Sequence, residues 1–325
     1  MLRRIVADRG DMGRRLDLVV RRHLADVDHA TRTAVQGWIE GGQVMVNSIV
    51  VLRVAARTAR GDVVTIAVPD VAPRTSIAAE PVPLDVLHED DHLIAIDKPA
   101  GIVVHPAYRN PTGTLLNALL WRAREWPPSQ RPSIVGRLDK MTSGVVLVAR
   151  SAAMHAALQR TAIEKEYLAV VYGRVKRSRG RIDLRLAKDR CDRRTVVSST
   201  TTGAPSLTRF ERLARVAAPR VGLSLLRCSL VTGRTHQIRV HLAESGWPIV
   251  GDPLYGEPGW SRVSDPALAA ALRAFRRQAL HAWRVAFMHP VSRERLTIEA
   301  PLPSDFEALL AVTKLEPPRN HENTK

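Results

Sequence analysis

Apolar positions recur at helical spacing in two short stretches near the start of the chain, then alternate or run continuously through most of the remainder. Leu16, Val19, Val20 and Leu24 share one helical face, and Val35, Trp38 and Ile39 mark a second helix closed by Gly41-Gly42. Val44-Met45-Val46, the turn Asn47-Ser48 and Ile49-Val50-Val51 predict a hairpin, and Gly61-Asp62 leads into a further strand over 63–68. Pro69, Pro73, Pro81 and Pro83 then fall among small and polar residues, the composition of a semi-rigid linker. Beyond it, strands are expected at 93–97, 102–104, 144–148, 167–172, 223–230 and 283–288. Helices are expected at 114–124, 152–163, 235–245 and 266–277. Their irregular order predicts an α+β fold with a largely antiparallel sheet rather than a βαβ alternation. The resulting division is a small unit at 1–70, a linker at 71–83, a main domain at 84–313 and a flexible polar tail at 314–325.

Charge changes the picture more than composition does. The chain has 49 Lys+Arg against 32 Asp+Glu, a formal net charge of +17, and 42 of those cations are arginine. Arginine pairs with phosphate through two parallel hydrogen bonds and stacks on bases, so a nucleic acid is the expected partner. An anionic membrane is not, because no basic amphipathic helix or membrane-length apolar run is present. Cys191 and Cys228 are the two cysteines, far apart and without a Cys-x-x-Cys pair, which supports neither a disulfide framework nor a zinc site. The charged start, Met1-Leu2-Arg3-Arg4, leaves no room for a signal-peptide apolar region, so a cytoplasmic location is expected.

The candidate chemistry lies in Gly136-Arg137-Leu138-Asp139-Lys140-Met141-Thr142-Ser143-Gly144, followed by the apolar run Val145 to Val148. An isolated Arg-Leu-Asp is ordinarily a turn. Here the carboxylate sits beside an arginine in a glycine-bounded loop feeding a buried strand, which fixes it as a candidate nucleophile or acid/base group.

This loop resembles the catalytic loop of the RluA-type pseudouridine synthases. Further stretches line up with that family in order: Ile96 to Pro106, Glu164-Lys165-Glu166-Tyr167, Thr232 to His241, Pro248 to Gly256, and Leu280-His281-Ala282 before Phe287-Met288-His289-Pro290. The N-terminal unit resembles the alpha-L RNA-binding motif at Arg15-Leu16-Asp17, Thr31-Arg32, Gly42 to Asn47 and Gly61-Asp62. The resemblance implies the pseudouridine synthase fold, with a mixed, mostly antiparallel sheet and a central cleft, plus a small N-terminal α/β RNA-binding domain.

By the same resemblance, Asp139 is the nucleophile, attacking C1′ of ribose or C6 of uracil. Arg239 pairs with it and keeps it ionised, Tyr167 stacks on the target base and is the candidate acceptor of its C5 proton, and Arg137 fills the space an extruded uridine leaves. Arg32, Arg234, Thr235 and His236 are expected RNA contacts. The implied reaction needs no cofactor and no metal, and the implied substrate is large-subunit ribosomal RNA, naked or in a pre-ribosomal particle. Two other classes remain to be weighed. His236 and His241 stand five residues apart and diverge on a helix, which speaks against a metal-dependent hydrolase. A non-catalytic RNA-binding factor fits the charge equally well, but has no need of Asp139, Tyr167 and Arg239 together.

Overall fold

Two helices and four short strands form the first of two units, Met1–Ser76; the second is Ile77–Lys325. The computed structural model describes residues 1–27, 29–69, 77–107, 110–189, 192, 195–199, 201–216 and 222–316. In the first unit, β1 (Leu2–Val6), α1 (Leu16–His23), α2 (Arg32–Glu40), β2 (Val44–Val46), β3 (Ile49–Val50) and β4 (Val63–Ala67) make a sheet of order β1-β4-β2-β3. The helices bury Leu16, Val20, Leu24, Val35 and Ile39 together with Val44, Val64 and Ile66. Asn47 and Ser48 both take positive φ, 51° and 68°, the backbone a two-residue hairpin turn requires. Thr31 caps α2 by accepting the Ala34 N–H at 3.3 Å. Strand β1 has no counterpart among the expected elements.

The second unit begins inside the Pro-rich stretch. Asn117 donates to the Ala78 carbonyl at 2.7 Å, and the Glu80 N–H and carboxylate bond to Asn117 and Gly113. Residues 77–83 are therefore docked rather than free. Residues 70–76, with Pro73, lie outside the described residues, as do Cys191 and the stretch 317–325. Leu315, within the stretch expected as a flexible tail, is buried in the core.

Its elements are β5 (Asp85–Glu89), β6 (Leu93–Lys98), α3 (Leu115–Arg122), β7 (Ser133–Val135), β8 (Ser143–Ala149), α4 (Ala152–Arg160) and β9 (Glu164–Tyr172). Then follow β10 (Arg179–Lys188), β11 (Val196–Ser199), β12 (Ala204–Val216), β13 (Leu223–Leu230), α5 (Gln237–Glu244), α6 (Pro266–Ala274), β14 (Leu280–Met288), β15 (Arg295–Glu299) and α7 (Ser304–Thr313). Among the described residues the sheet has eleven strands, in the order β11-β10-β12-β13-β9-β14-β8-β6-β5, with β15 on β14 and β7 on β8. The β14–β8 pairing is parallel and the other pairings are antiparallel, as an α+β fold requires.

The centre of this sheet is covered on both faces, which explains its continuous apolar runs. Leu93, Ala95, Val145, Leu147 and Phe287 pack with Met154 and Leu158 of α4, while Ile94, Ile96, Val146 and Val148 pack with Leu115 and Leu119 of α3. Each such side chain contributes about 1.5–3 kcal/mol when fully buried. The segment expected as a strand at 102–104 is instead irregular chain following a turn at 100–101. Its carbonyls are taken by other partners, Ile102 by the Lys98 ammonium and Val103 and Val104 by the first N–H groups of α3. No ladder partner is left for it to need.

Candidate active site

The loop carrying Asp139 leaves β7 and enters β8, whose seven residues are all buried, so its downstream end is anchored in the core. Gly144, at φ 111°, lets β8 approach β14 closely; a Cβ there would lie 2.1 Å from the Ala282 carbonyl oxygen. The loop is tied down at several points. Lys98 is fully buried, and its ammonium donates to the carbonyls of Pro99 at 2.7 Å, Ile102 at 3.1 Å and Lys140 at 3.2 Å. Burial, with the nearby Arg277 charge adding to it, brings the Lys98 pKa down to about 8. Gln278 donates to Thr142 Oγ1 at 3.1 Å, and the Ser143 hydroxyl meets His281 Nδ1 at 3.0 Å.

His281 carries a testable consequence. Burial lowers its pKa from 6.5 to about 4, so between those values the unfolded chain binds a proton that the folded chain excludes. Stability is therefore lost as pH falls from about 6.5 towards 4, by roughly 1 kcal/mol per pH unit. Urea midpoints at pH 7 and pH 5 should show this drop, and His281→Asn should make it shallower.

Opposite the loop, Arg239 projects from α5. Its Nε and Nη2 grip both oxygens of the fully buried Asp252, at 2.7 and 2.8 Å, while Nη1 donates to Asp139 Oδ2 at 3.0 Å. Burial opposes the guanidinium charge, but the Asp252 and Asp139 carboxylates outweigh it and raise its pKa. The Tyr255 ring lies below, 5.0 Å from the guanidinium carbon. Asp252 in turn accepts the N–H groups of Leu254 and Tyr255 at 3.0 and 3.2 Å. Asp252 thus neutralises and aims Arg239, and Arg239 aims Asp139. Oδ1 of Asp139 takes no hydrogen bond from the described residues, and the side chain is 23% exposed towards the cleft.

The helix expected from 235 begins at Gln237. Gln237 Oε1 accepts the Thr232 hydroxyl and the Arg234 N–H, and His236 turns left-handed at φ 53°, so the helical path cannot continue upstream. That backbone brings His236 Nε2 to 3.8 Å from Asp139 Oδ2 and sets Nδ1 2.9 Å from the Tyr255 hydroxyl. Burial lowers the His236 pKa. His241, by contrast, is buried against Ser206 at 2.9 Å, on the side of α5 that packs on the sheet. Arg137 donates to the Thr235 hydroxyl across the cleft.

Asp139, Arg137, Tyr167, Arg234, Thr235, His236 and Arg239 accordingly line one cleft of about 960 Å³. Tyr167 enters it from β9; burial, and then the Asp139 charge, push its phenol pKa up. Arg32 belongs to the first unit, as the first residue of α2, about half exposed and 3.6 Å from the buried Asp17. Asp252 and Tyr255 were not among the expected site residues. The signal for Asp252 was present in Gly251-Asp252-Pro253, since a buried arginine requires a buried carboxylate.

The profile of the RNA pseudouridylate synthase family matches residues 92–244. The chain is 41% identical to the ribosomal large subunit pseudouridine synthase D of Nitrosomonas europaea, over 86% of this chain and 79% of that protein. It is 38% identical to the protein of the same name from Xanthomonas campestris pv. campestris, over 99% of this chain and 95% of that one. Among solved structures, human RNA pseudouridylate synthase domain containing 4 superposes with a TM-score of 0.56 at 24% identity, over 72% of this chain and 94% of that one, a likeness of fold.

Proposed function

This chain belongs to the RNA pseudouridylate synthase family and is an RNA pseudouridine synthase, and from that premise we propose that Asp139 opens the reaction with its Oδ1 oxygen. The carrying observation is the chain Asp252–Arg239–Asp139, which occupies Oδ2 and leaves Oδ1 to the cleft. Attack at C1′ of ribose and attack at C6 of uracil both start from such a carboxylate. In either route the C1′–N1 bond breaks, the base turns, C1′ joins C5, and the C5 proton is lost. Tyr167, held protonated by burial, serves as a stacking surface for the uracil rather than as a standing phenolate. Arg137, spanning the cleft to Thr235, fills the place of the extruded nucleotide, and His236 and Arg234 contact its backbone.

Large-subunit ribosomal RNA, naked or in a pre-ribosomal particle, is the proposed substrate, and the cytoplasm the proposed location. The names of its relatives and the +17 charge support that reading. The first unit, with Arg32 exposed at the start of α2, is proposed as an additional RNA-binding module. Mapping pseudouridines in large-subunit RNA and in precursor particles after incubation with the enzyme tests the assignment. New pseudouridines confined to other RNAs would refute it.

The sheet beside the cleft makes a second expectation. Arg181 and Arg209 stand directly opposite one another on β10 and β12, both exposed and without an ion pair among the described residues, and Arg209 lines the cleft. Like charges in register are unfavourable unless a polyanion covers them. Replacing both by alanine should lower the slope of log affinity against log salt by about 2 and weaken RNA binding, with kcat unchanged. Filter binding over a salt series reads both.

A further inference from the structure

Strand β9 reads Glu164-Lys165-Glu166-Tyr167, two acids around one lysine. Nearest neighbours along a strand do not share a face, so the acids are not the lysine's partners. Glu164 is held by Arg295 at 3.0 Å, and Glu166 by Arg284 at 3.0 Å. Lys165 points the same way as Tyr167, into the cleft that holds Asp139. There its ammonium lies against the backbone of Gly136; a Cβ built on that glycine would stand 3.3 Å from Nζ. Gly136, at φ 86°, leaves room beside the charge, and Arg137 follows it with a second cation.

The Lys165 ammonium has neither an ion pair nor a hydrogen bond with the described residues. The remaining cleft carboxylate, Asp139, is already engaged by Arg239. Lys165 is nonetheless partly withdrawn from water, and burial lowers its pKa. A half-desolvated cation without a counter-charge is costly, and a neutral carbonyl of uracil offsets that cost poorly. An anion supplied by the substrate offsets it well, and the substrate's anions are its phosphodiesters.

We propose that Lys165 and the gap above Gly136 form a phosphodiester subsite that holds the RNA backbone next to the extruded uridine. This deepens the reading given under Proposed function and rests on it for the identity of the substrate. Lys165 binds and positions; Asp139 performs the chemistry.

The test uses the full chain and an in vitro transcript of large-subunit ribosomal RNA. Lys165→Met keeps the apolar stem and Lys165→Arg keeps the charge. Melting temperatures no lower than that of the wild-type protein establish that both variants fold, with Lys165→Met expected to melt at or above it because an unpaired cation is removed. Lys165→Met is expected to bind the transcript about tenfold more weakly and to lower the salt slope by about 0.9, the share of one phosphate. Lys165→Arg should restore both. Unchanged affinity and slope in Lys165→Met would overturn the proposal. So would a fall in kcat alone, which would assign the lysine to the base. These binding readouts stand whether or not the wild-type protein releases tritium from C5-labelled uridine in that transcript, so failure of the reaction assignment is seen separately.

Discussion

Asp139→Asn is expected to abolish turnover, lowering it by roughly 10⁴-fold or more, while RNA affinity and folding stability stay close to wild type. The reasons lie in how the carboxylate is held. Asparagine has nearly the same shape, and its amide oxygen can accept the Arg239 Nη1–H that Asp139 Oδ2 accepts at 3.0 Å. The Arg239 charge is already matched by both oxygens of Asp252, so losing the Asp139 charge leaves no buried cation uncompensated. What disappears is the nucleophilic oxygen. Single-turnover conversion and filter binding of one RNA preparation read the two quantities separately. A comparable loss of binding would mean that Asp139 holds the substrate rather than attacking it.

Asp252→Ala has a different consequence, although Asp252 lies one step further from the substrate. Arg239 is 5% exposed and Asp252 is fully buried. Removing the carboxylate takes away two of the three hydrogen bonds to the buried guanidinium and leaves the partly exposed Asp139 as its remaining counter-charge, towards which it is free to swing. The expected cost is about 3–5 kcal/mol of folding stability, read as a lowered urea midpoint, together with loss of turnover. The double variant Asp252→Ala/Arg239→Met removes both charges and should recover most of the stability without recovering turnover. Recovery of both would show that the pair serves the fold alone. If the single variant costs under about 1 kcal/mol, the buried pair is not the support described.

How much of this was legible in the sequence depended on how local each signal was. The Gly136–Gly144 loop, the strand after it and the Thr232–His241 stretch are contiguous, so Asp139 and Arg239 could be named although 100 residues separate them. The helices α1 and α2 were marked by apolar faces that neighbours do not override, and Gly41-Gly42 marked where α2 ends. Harder cases turned on partners distant along the chain. The irregular segment at 102–104 looks like a strand until Lys98 and α3 claim its carbonyls. The start of α5 looks like Thr235 until Gln237 folds back to cap its own loop. Strands β10 and β12 carry arginines and small residues in place of a clean apolar alternation, and were not anticipated. Asp252 was seen only as part of a motif, because its importance arises from the arginine buried against it.

Lys98 illustrates the same limit. In sequence it is one lysine within the Ile96 to Pro106 stretch; in the fold it is a buried cation satisfied by three carbonyls, one of them on the residue after Asp139. The catalytic loop is thus positioned by its neighbours' backbone as much as by its own glycines.

The measurement that tests the account most directly is tritium release from C5-labelled uridine in large-subunit ribosomal RNA, with the wild-type protein and Asp139→Asn side by side. Release by the wild-type protein alone is predicted, since the C5 proton is lost only if the base is rejoined through C5. Equal release by both proteins would contradict Asp139 as the nucleophile, and no release by the wild-type protein would contradict the assigned substrate.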